Sequence, residues 1–183
     1  RLLIAALPQW VAQMTRFALA TGLRQSNVFG LEWRQVDLVH HIAWIEADQA
    51  KAGEPIGVPL TSAAIAVLKG QQGKHGQRVF LDENGLPMEF WPYWARRHFA
   101  EACGKVGLKN FRWHDLRHTW ASWHVQKGTP LYHLKELGGW KTLEMVNKYA
   151  HLGSTHLLEH AERVSFDSTS QIRHTDLRTK GTK

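Results

Sequence analysis

Residues 137–152 read LGGWKTLEMVNKYAHL, and this stretch is the most informative part of the chain about its fold. The two glycines end a preceding helix, and the spacing after them predicts a short helix over 142–149. Its apolar residues are expected to pack inward: Leu143, Met145 and Val146. Taken alone, Tyr149 is then an ordinary half-buried core tyrosine, and Trp140 is a packing residue.

The upstream stretch HDLRHTWASWH, residues 114–124, predicts an amphipathic helix that Gly128 ends. At about 100° per residue, polar and apolar side chains fall on opposite sides. The polar side is formed by His114, Arg117 and His118. The apolar side, expected to anchor the helix, is formed by Leu116, Trp120 and Trp123. Two imidazoles beside a planar guanidinium suit an oxyanion such as phosphate, although a solvated polar face has the same pattern.

A zinc site on His114 and His118 is an alternative interpretation of that helix. Histidines one turn apart occur on metal-binding helices. However, no glutamate adjoins His114 and no cysteine pair lies nearby. We therefore predict no metal.

The stretch TGLRQSNVFGLEW, residues 21–33, places an arginine at the start of a short helix. Gly22 ends the helix before it, and Ser26 is expected to cap the next one, which runs through Leu31. Arg24 gains nothing from the dipole at a helix N-terminus, where anions are favoured. A bound anion would explain why a positively charged arginine lies at a helix end that favours anions.

Residues 41–46 and 54–60 predict the strands of a small hairpin, with Lys51 near its tip. Helical patterns dominate elsewhere, in four stretches: 2–21, 61–69, 91–106 and 130–137. The predicted fold class is therefore mixed α+β and mainly helical, with a small antiparallel sheet.

Length and composition favour one domain that binds a polyanion. The chain has 183 residues, and its 23 Lys and Arg against 16 Asp and Glu give a formal charge of +7. The single cysteine, Cys103, agrees with a reducing cytoplasm. No apolar run is long enough to span a membrane, so no membrane partner is expected.

Together, these stretches resemble the catalytic half of the tyrosine recombinase, or phage integrase, family from Leu2 to about His160. The resemblance implies that family's catalytic-domain fold and six catalytic residues: Arg24, Lys51, His114, Arg117, Trp140 and Tyr149. His114 and Arg117 match the HxxR motif, and Tyr149 matches the nucleophile. In one departure, Asn27 stands where many members carry an acidic residue that supports the site.

The resemblance further implies a site-specific recombinase that cleaves and rejoins DNA through a 3′-phosphotyrosyl intermediate. His114 is then the candidate base for the phenol, and Lys51 is the candidate acid for the leaving 5′-oxygen. Two guanidiniums take the place of a metal cation, and no Walker-type glycine loop is present. We expect no cofactor, no metal and no ATP.

The expected partners are double-stranded DNA attachment sites, a homotetramer of the chain on DNA, and accessory DNA-bending or directionality proteins. Lys105, Lys109 and Arg112 are expected to contact the DNA backbone, although a solvated basic loop would have the same sequence pattern.

Residues 1–152 are assigned to the catalytic domain, without an N-terminal DNA-clamping domain. Residues 153–183 are assigned to a C-terminal helix and basic tail, which the resemblance suggests could be exchanged between subunits.

Three other functions remain open at this point. The chain could be a non-catalytic DNA-binding module of the same fold, or a relaxing topoisomerase with the same chemistry. It could also be a metal-dependent nuclease that uses His114, Asp115 and His118.

Overall fold

The computed structural model describes residues 1–50, 53–88, 91–153 and 161–162 of the chain. The α-helices of these residues are α1 (Leu2–Ala6), α2 (Gln9–Thr21), α3 (Gln25–Phe29), α4 (Ser62–Lys69), α5 (Tyr93–Lys105), α6 (Trp113–Gln126), α7 (Leu131–Gly138) and α8 (Glu144–Asn147). Short 3-10 turns cover Trp33–Gln35 and Ala150–Gly153. The strands are β1 (Val36–Asp37), β2 (Ile42–Ile45) and β3 (Ile56–Pro59). The predicted mixed, mainly helical fold class is confirmed.

The predicted hairpin is present, and it carries one strand more than the sequence indicated. β2 and β3 pair antiparallel, with Ile42 opposite Pro59 and Ile45 opposite Ile56. β1, which is too short to show an alternating pattern, pairs antiparallel with the free edge of β2. Ala43, Ile45 and Val58 point into the core, so the sheet covers one side of the helices.

Most of the apolar core forms one cluster, called here the large cluster. It runs from Leu3 to Leu116 and includes the fully buried rings of Phe17, Phe29 and Phe80. α2 lies at its centre and packs against both α4 and α6. The spacing of apolar residues in α2, with Val11, Met14 and Phe17 all buried, is what places that helix there.

A second apolar group, called here the small cluster, lies under the C-terminal part of the described chain. Its buried members are Trp120, Ala121, Val125, Leu134, Val146 and Tyr149. The partly buried residues packed against it are Leu131, Leu137, Trp140 and Leu152. α6 takes part in both clusters, since its Trp113 and Leu116 belong to the large one.

The predicted cap of α3 is wrong by two residues. Arg24 is the N-cap residue and has extended backbone angles, whereas Ser26 lies inside the helix. No side chain caps this helix end. A serine near a helix start satisfies the capping rule at several registers, and here packing of Val28 and Phe29 sets the register.

Three residues predicted to face the core are instead exposed. Trp123 is 50% exposed, Leu143 is 41% exposed and Met145 is 48% exposed. α8 is so short that only Val146 reaches the small cluster. Trp123 lies on a side of α6 that no other helix fully covers, so the apolar side of α6 is narrower than the sequence suggested.

None of the helices in the described ranges is long and apolar enough to cross a membrane.

Candidate active site

Arg117 is a buried arginine that joins two helix ends. Its side chain projects from α6 between the clusters and is 5% exposed. Nη1 donates to the Gly22 carbonyl at the end of α2, and Nη2 donates to the Gly138 carbonyl at the end of α7, each at 2.6 Å. The last carbonyls of a helix lack partners within that helix, so a guanidinium satisfies them well.

Burial, with a further contribution from the nearby Arg24 charge, lowers the pKa of Arg117 to about 10. The group therefore stays cationic at neutral pH. The guanidinium carbon lies 4.1 Å from the centroid of the Trp140 ring, a cation–π geometry. Trp140 thus covers one face of Arg117.

Arg24 reaches the same region from the short segment between α2 and α3. Gly22 makes this possible, because its φ is +66° and a Cβ there would come within 2.3 Å of the Trp120 ring. The segment therefore lies directly against α6. Arg24 is half-buried, which lowers the pKa of its guanidinium.

A second left-handed glycine positions Trp140. Gly139 ends α7 with a φ of +58°, and a Cβ there would come within 2.3 Å of Ile56. The end of α7 is therefore pressed against β3 of the hairpin, and the chain turns so that Trp140 returns over α6. The Trp120 and Trp140 rings stack with centroids 6.1 Å apart.

Tyr149 is buried at the edge of the small cluster and is 5% exposed. Its hydroxyl lies 2.5 Å from Nδ1 of His118, and the Lys148 amine lies 5.0 Å from its ring. Burial raises the pKa of the Tyr149 phenol, while the Arg117 charge acts in the opposite direction. The sequence-only interpretation of Tyr149 as a core residue is thus correct for its ring, although its hydroxyl faces polar groups.

Two histidines of α6 lie beside this tyrosine. The rings of His114 and His118 meet edge to face, with centroids 4.9 Å apart. Desolvation is the main cause that lowers the pKa of both imidazoles. Nearby cations add to the effect, Arg117 most strongly at His114 and Lys148 most strongly at His118.

Five of the six predicted catalytic residues line one open cavity of about 360 Å³: Arg24, His114, Arg117, Trp140 and Tyr149. The same cavity is bordered by His118, Lys141, Glu144, Met145 and Lys148. The sixth, Lys51, lies outside the described residues. Within the described ranges, no group of three or more histidine, cysteine or acidic side chains is placed to hold a metal.

Asn27 connects the start of α3 to the loop that leads toward Lys51. Its side-chain amide donates to the Gln49 carbonyl at 3.0 Å, and the residue is 4% exposed. A carboxylate could not donate this bond. An ionised carboxylate at this position would face the Gln49 carbonyl without a hydrogen bond, because both groups are acceptors.

The three predicted DNA-contacting residues lie at the end of α5 and on the segment before α6. Lys105, Lys109 and Arg112 are all exposed. Arg112 also forms an ion pair with Asp115, with 3.6 Å between Nε and Oδ2. Their role toward DNA stays a prediction.

The sequence places His118 on the polar side of α6, and His118 is not among the six predicted catalytic residues. Its contact with Tyr149 depends on how residues 140–149 fold back over α6. The sequence feature that could have pointed to His118 is its position one helical turn after His114, on the same side of α6.

The sequence profile of the phage integrase family matches residues 2–156. The chain belongs to this family. Among its relatives, the integrase of Salmonella phage P22 is 44% identical over 160 residues, which cover 82% of this chain and 41% of the P22 protein. A shufflon-specific DNA recombinase from Escherichia coli is 24% identical over 142 residues, or 77% of this chain and 34% of that protein. The chain thus spans less than half the length of each of these two relatives.

Solved structures show the same fold. The catalytic domain of bacteriophage HP1 integrase superimposes with a TM-score of 0.66 at 25% identity, covering 93% of this chain and 92% of that domain. The XerH recombinase bound to its difH substrate before cleavage has a TM-score of 0.66 at 18% identity, covering 87% of this chain and 50% of XerH. This chain therefore shares the catalytic-domain fold of these solved proteins.

Proposed function

We propose that this chain carries the catalytic domain, over residues 1–152, of a site-specific DNA recombinase that cuts and rejoins strands through a phosphotyrosine at Tyr149. The observation that carries the proposal is one cavity lined by two arginines, two histidines and a tyrosine. The close match to the solved HP1 integrase catalytic domain over most of both chains supports it.

In the proposed cleavage step, Tyr149 Oη forms a bond to the phosphorus of a DNA phosphodiester, and the bond from phosphorus to the 5′-oxygen breaks. The products are a 3′-phosphotyrosyl link and a free 5′-hydroxyl. The phenol has an ordinary pKa near 10, so deprotonating it at pH 7 costs roughly 4 kcal/mol, and burial adds to that cost. A nearby base is therefore needed. His114 and His118 are the two imidazoles that line the same cavity as Tyr149.

Arg24 and Arg117 are the proposed partners of the non-bridging oxygens, where negative charge grows in the transition state. The backbone carbonyls that fix Arg117 leave other N–H groups of its guanidinium for the phosphate. Because Arg117 is held before substrate arrives, it needs little rearrangement. Lys51 remains the proposed donor of a proton to the 5′-oxygen. In this scheme the charge is met by guanidiniums, so no metal or ATP is required.

Double-stranded DNA is the proposed partner, and the net charge of +7 favours it. Exchange between two duplexes requires a nucleophile for every strand that is cut, so a homotetramer supplies the needed set of Tyr149 side chains. Lys105, Lys109 and Arg112 are proposed to contact the DNA backbone. Accessory DNA-bending or directionality proteins and an exchanged segment after residue 152 remain part of the proposal.

The proposal is tested with nicked suicide duplexes, which trap a cleaved strand on the protein. A pool with randomised sequence around the nick is incubated with the full-length protein, and the duplexes that form covalent adducts are selected for use. We expect a covalent adduct that survives denaturation and is unaffected by chelator. Tyr149→Phe should abolish it, whereas Tyr132→Phe, a matched change at an exposed tyrosine, should retain it.

Two results would contradict the proposal. Complexes that dissociate fully on denaturation would indicate a DNA-binding module. Cleavage that is lost with chelator and retained in Tyr149→Phe would indicate a metal-dependent nuclease.

A further inference from the structure

His118 is the nearest polar neighbour of the Tyr149 hydroxyl. Its Nδ1 lies 2.5 Å from Oη, and the two ring centroids are 5.9 Å apart. Among the described residues, this is the one hydrogen bond of that hydroxyl. The contact joins residues far apart in sequence and depends on the packing of Val146 and Tyr149 into the small cluster beside α6.

His114, the base expected from the family motif, is separated from the Tyr149 hydroxyl by His118. It has no hydrogen bond to Tyr149 among the described residues, and its ring meets that of His118 edge to face. His114 is exposed, while His118 is half-buried between His114 and the tyrosine. A proton leaving Oη therefore meets His118 first.

We propose that His118 is the catalytic proton acceptor for Tyr149, a role that rests on the proposed DNA cleavage reaction. As the bond from Oη to phosphorus forms, the phenol proton moves to Nδ1 of His118. The 5′-oxygen leaves with a proton from Lys51 or water. In the reverse reaction, the imidazolium returns its proton to the tyrosine oxygen as the phosphotyrosyl bond breaks.

The surroundings of His118 favour the neutral ring that this role needs. The charged and titratable groups near it are His114, Asp115 and Arg117 on α6, and Lys148 and Tyr149 on the segment packed against α6. Further groups lining the same cavity are Arg24, Lys141 and Glu144. Desolvation, followed by Lys148 and His114, lowers the pKa of His118, while Asp115 acts in the opposite direction. The neutral ring with a proton on Nε2 leaves Nδ1 to accept from the phenol.

The test compares His118→Asn with His114→Asn, using the duplexes selected with the wild-type protein. The asparagine oxygen at position 118 can accept the phenol hydrogen bond, but it is not basic at neutral pH. We expect His118→Asn to slow adduct formation at pH 7 by about 10²–10⁴-fold, the usual contribution of a positioned base. The rate of this variant should continue to rise into alkaline pH, whereas the wild-type rate levels off above the imidazole pKa.

His114→Asn is expected to lower the rate and keep the wild-type shape of the pH profile. The proposal is overturned if His118→Asn keeps both the wild-type rate and profile, or if the profile changes in His114→Asn alone. A wild-type protein that forms no adduct at any pH would instead reject the proposed function, so the two failures are distinguishable.

A second measurement leaves His118 intact and decides the question even if His118→Asn folds poorly. Tyr149 is replaced by 3-fluorotyrosine, whose phenol is more acidic. If an imidazole accepts the proton, the acidic limb of the pH profile stays in place. If the acidic limb of the rate profile instead moves to lower pH, in step with the lower pKa of the fluorinated phenol, the tyrosine titrates without His118. That result would overturn the proposal.

Discussion

The large and small clusters differ in what they contribute to the candidate site. Arg24 and His114 adjoin residues of the large cluster, which spans most of the fold, whereas Trp140 and Tyr149 belong to the small one. Arg117 lies between the clusters and is hydrogen-bonded to a helix end from each side. The proposed phosphate-binding groups are thus largely fixed by the main core, and the proposed nucleophile is held by the small cluster.

This difference has a consequence for dynamics. Regions with few buried apolar contacts open locally at a lower free energy than the main core. The segment that carries Tyr149 can therefore open without unfolding of the large cluster. The junction residues should be the most sensitive to substitution, because they set the position of one cluster relative to the other.

Arg117→Ala should have the largest effect on that junction. It removes a proposed phosphate ligand, so adduct formation should fall by about 10²–10³-fold or more, as when a preorganised charge-stabilising donor is lost. It also leaves the Gly22 and Gly138 carbonyls without this partner, so the free energy of unfolding should decrease. Adduct kinetics measure the loss of cleavage, and denaturant unfolding measures the decrease in the free energy of unfolding.

Arg24→Ala is the matched comparison. The Arg24 guanidinium has no hydrogen bond to another described residue, so this variant should lose cleavage while its unfolding free energy stays near that of the wild type. Equal losses of stability in the two variants would contradict the assigned difference between the arginines.

Trp120→Ala should destabilise the protein by about 3–5 kcal/mol, the range for removing a buried aromatic ring. The ring is 5% exposed and fills the space against Gly22, so its loss loosens the contact between α6 and the Arg24 segment. Thermal and denaturant unfolding measure the effect.

Trp123→Ala, on the same helix, is the control because Trp123 is 50% exposed. Its cost should be within about 0.5 kcal/mol, as for most surface substitutions. A similar cost for the two tryptophans would argue against the observed orientation of α6.

The smallest expected effect concerns pH and the small cluster. Burial lowers the pKa of His124, whose ring packs on Trp120. The unfolded chain therefore binds a proton before the folded one as the pH falls, and the free energy of unfolding should decrease below about pH 6.5. His124→Gln should reduce this decrease, as measured by unfolding from pH 7.5 to 5. An unchanged pH dependence would assign the decrease to other groups.

The sequence was sufficient for the parts of the site that follow from local patterns. The helix around HDLRH, the hairpin and the helix ends at Gly22 and Gly139 all have local signals. That Arg24, His114, Arg117, Trp140 and Tyr149 line one cavity was expected only from the family resemblance. The family resemblance supplied their expected roles, which remain predictions.

The remaining features depend on packing between distant segments. The bond from His118 to Tyr149 and that from Asn27 to the Gln49 carbonyl each join separate elements. The exposure of Trp123 depends on which sides of α6 its neighbours cover. Helical periodicity gives the sides of a helix, but it does not tell which of them a second helix will cover.

A mixing experiment determines whether one chain assembles the whole site, including its own Tyr149. Arg24→Ala and Tyr149→Phe proteins are each incubated with the selected suicide duplex, separately and together. Because Tyr149 lies in the same cavity as Arg24 and Arg117 of its own chain, the mixture should form no more adduct than the separate proteins. Recovery of adduct in the mixture would show that the tyrosine is supplied by another copy, and it would rule out a site built from one chain.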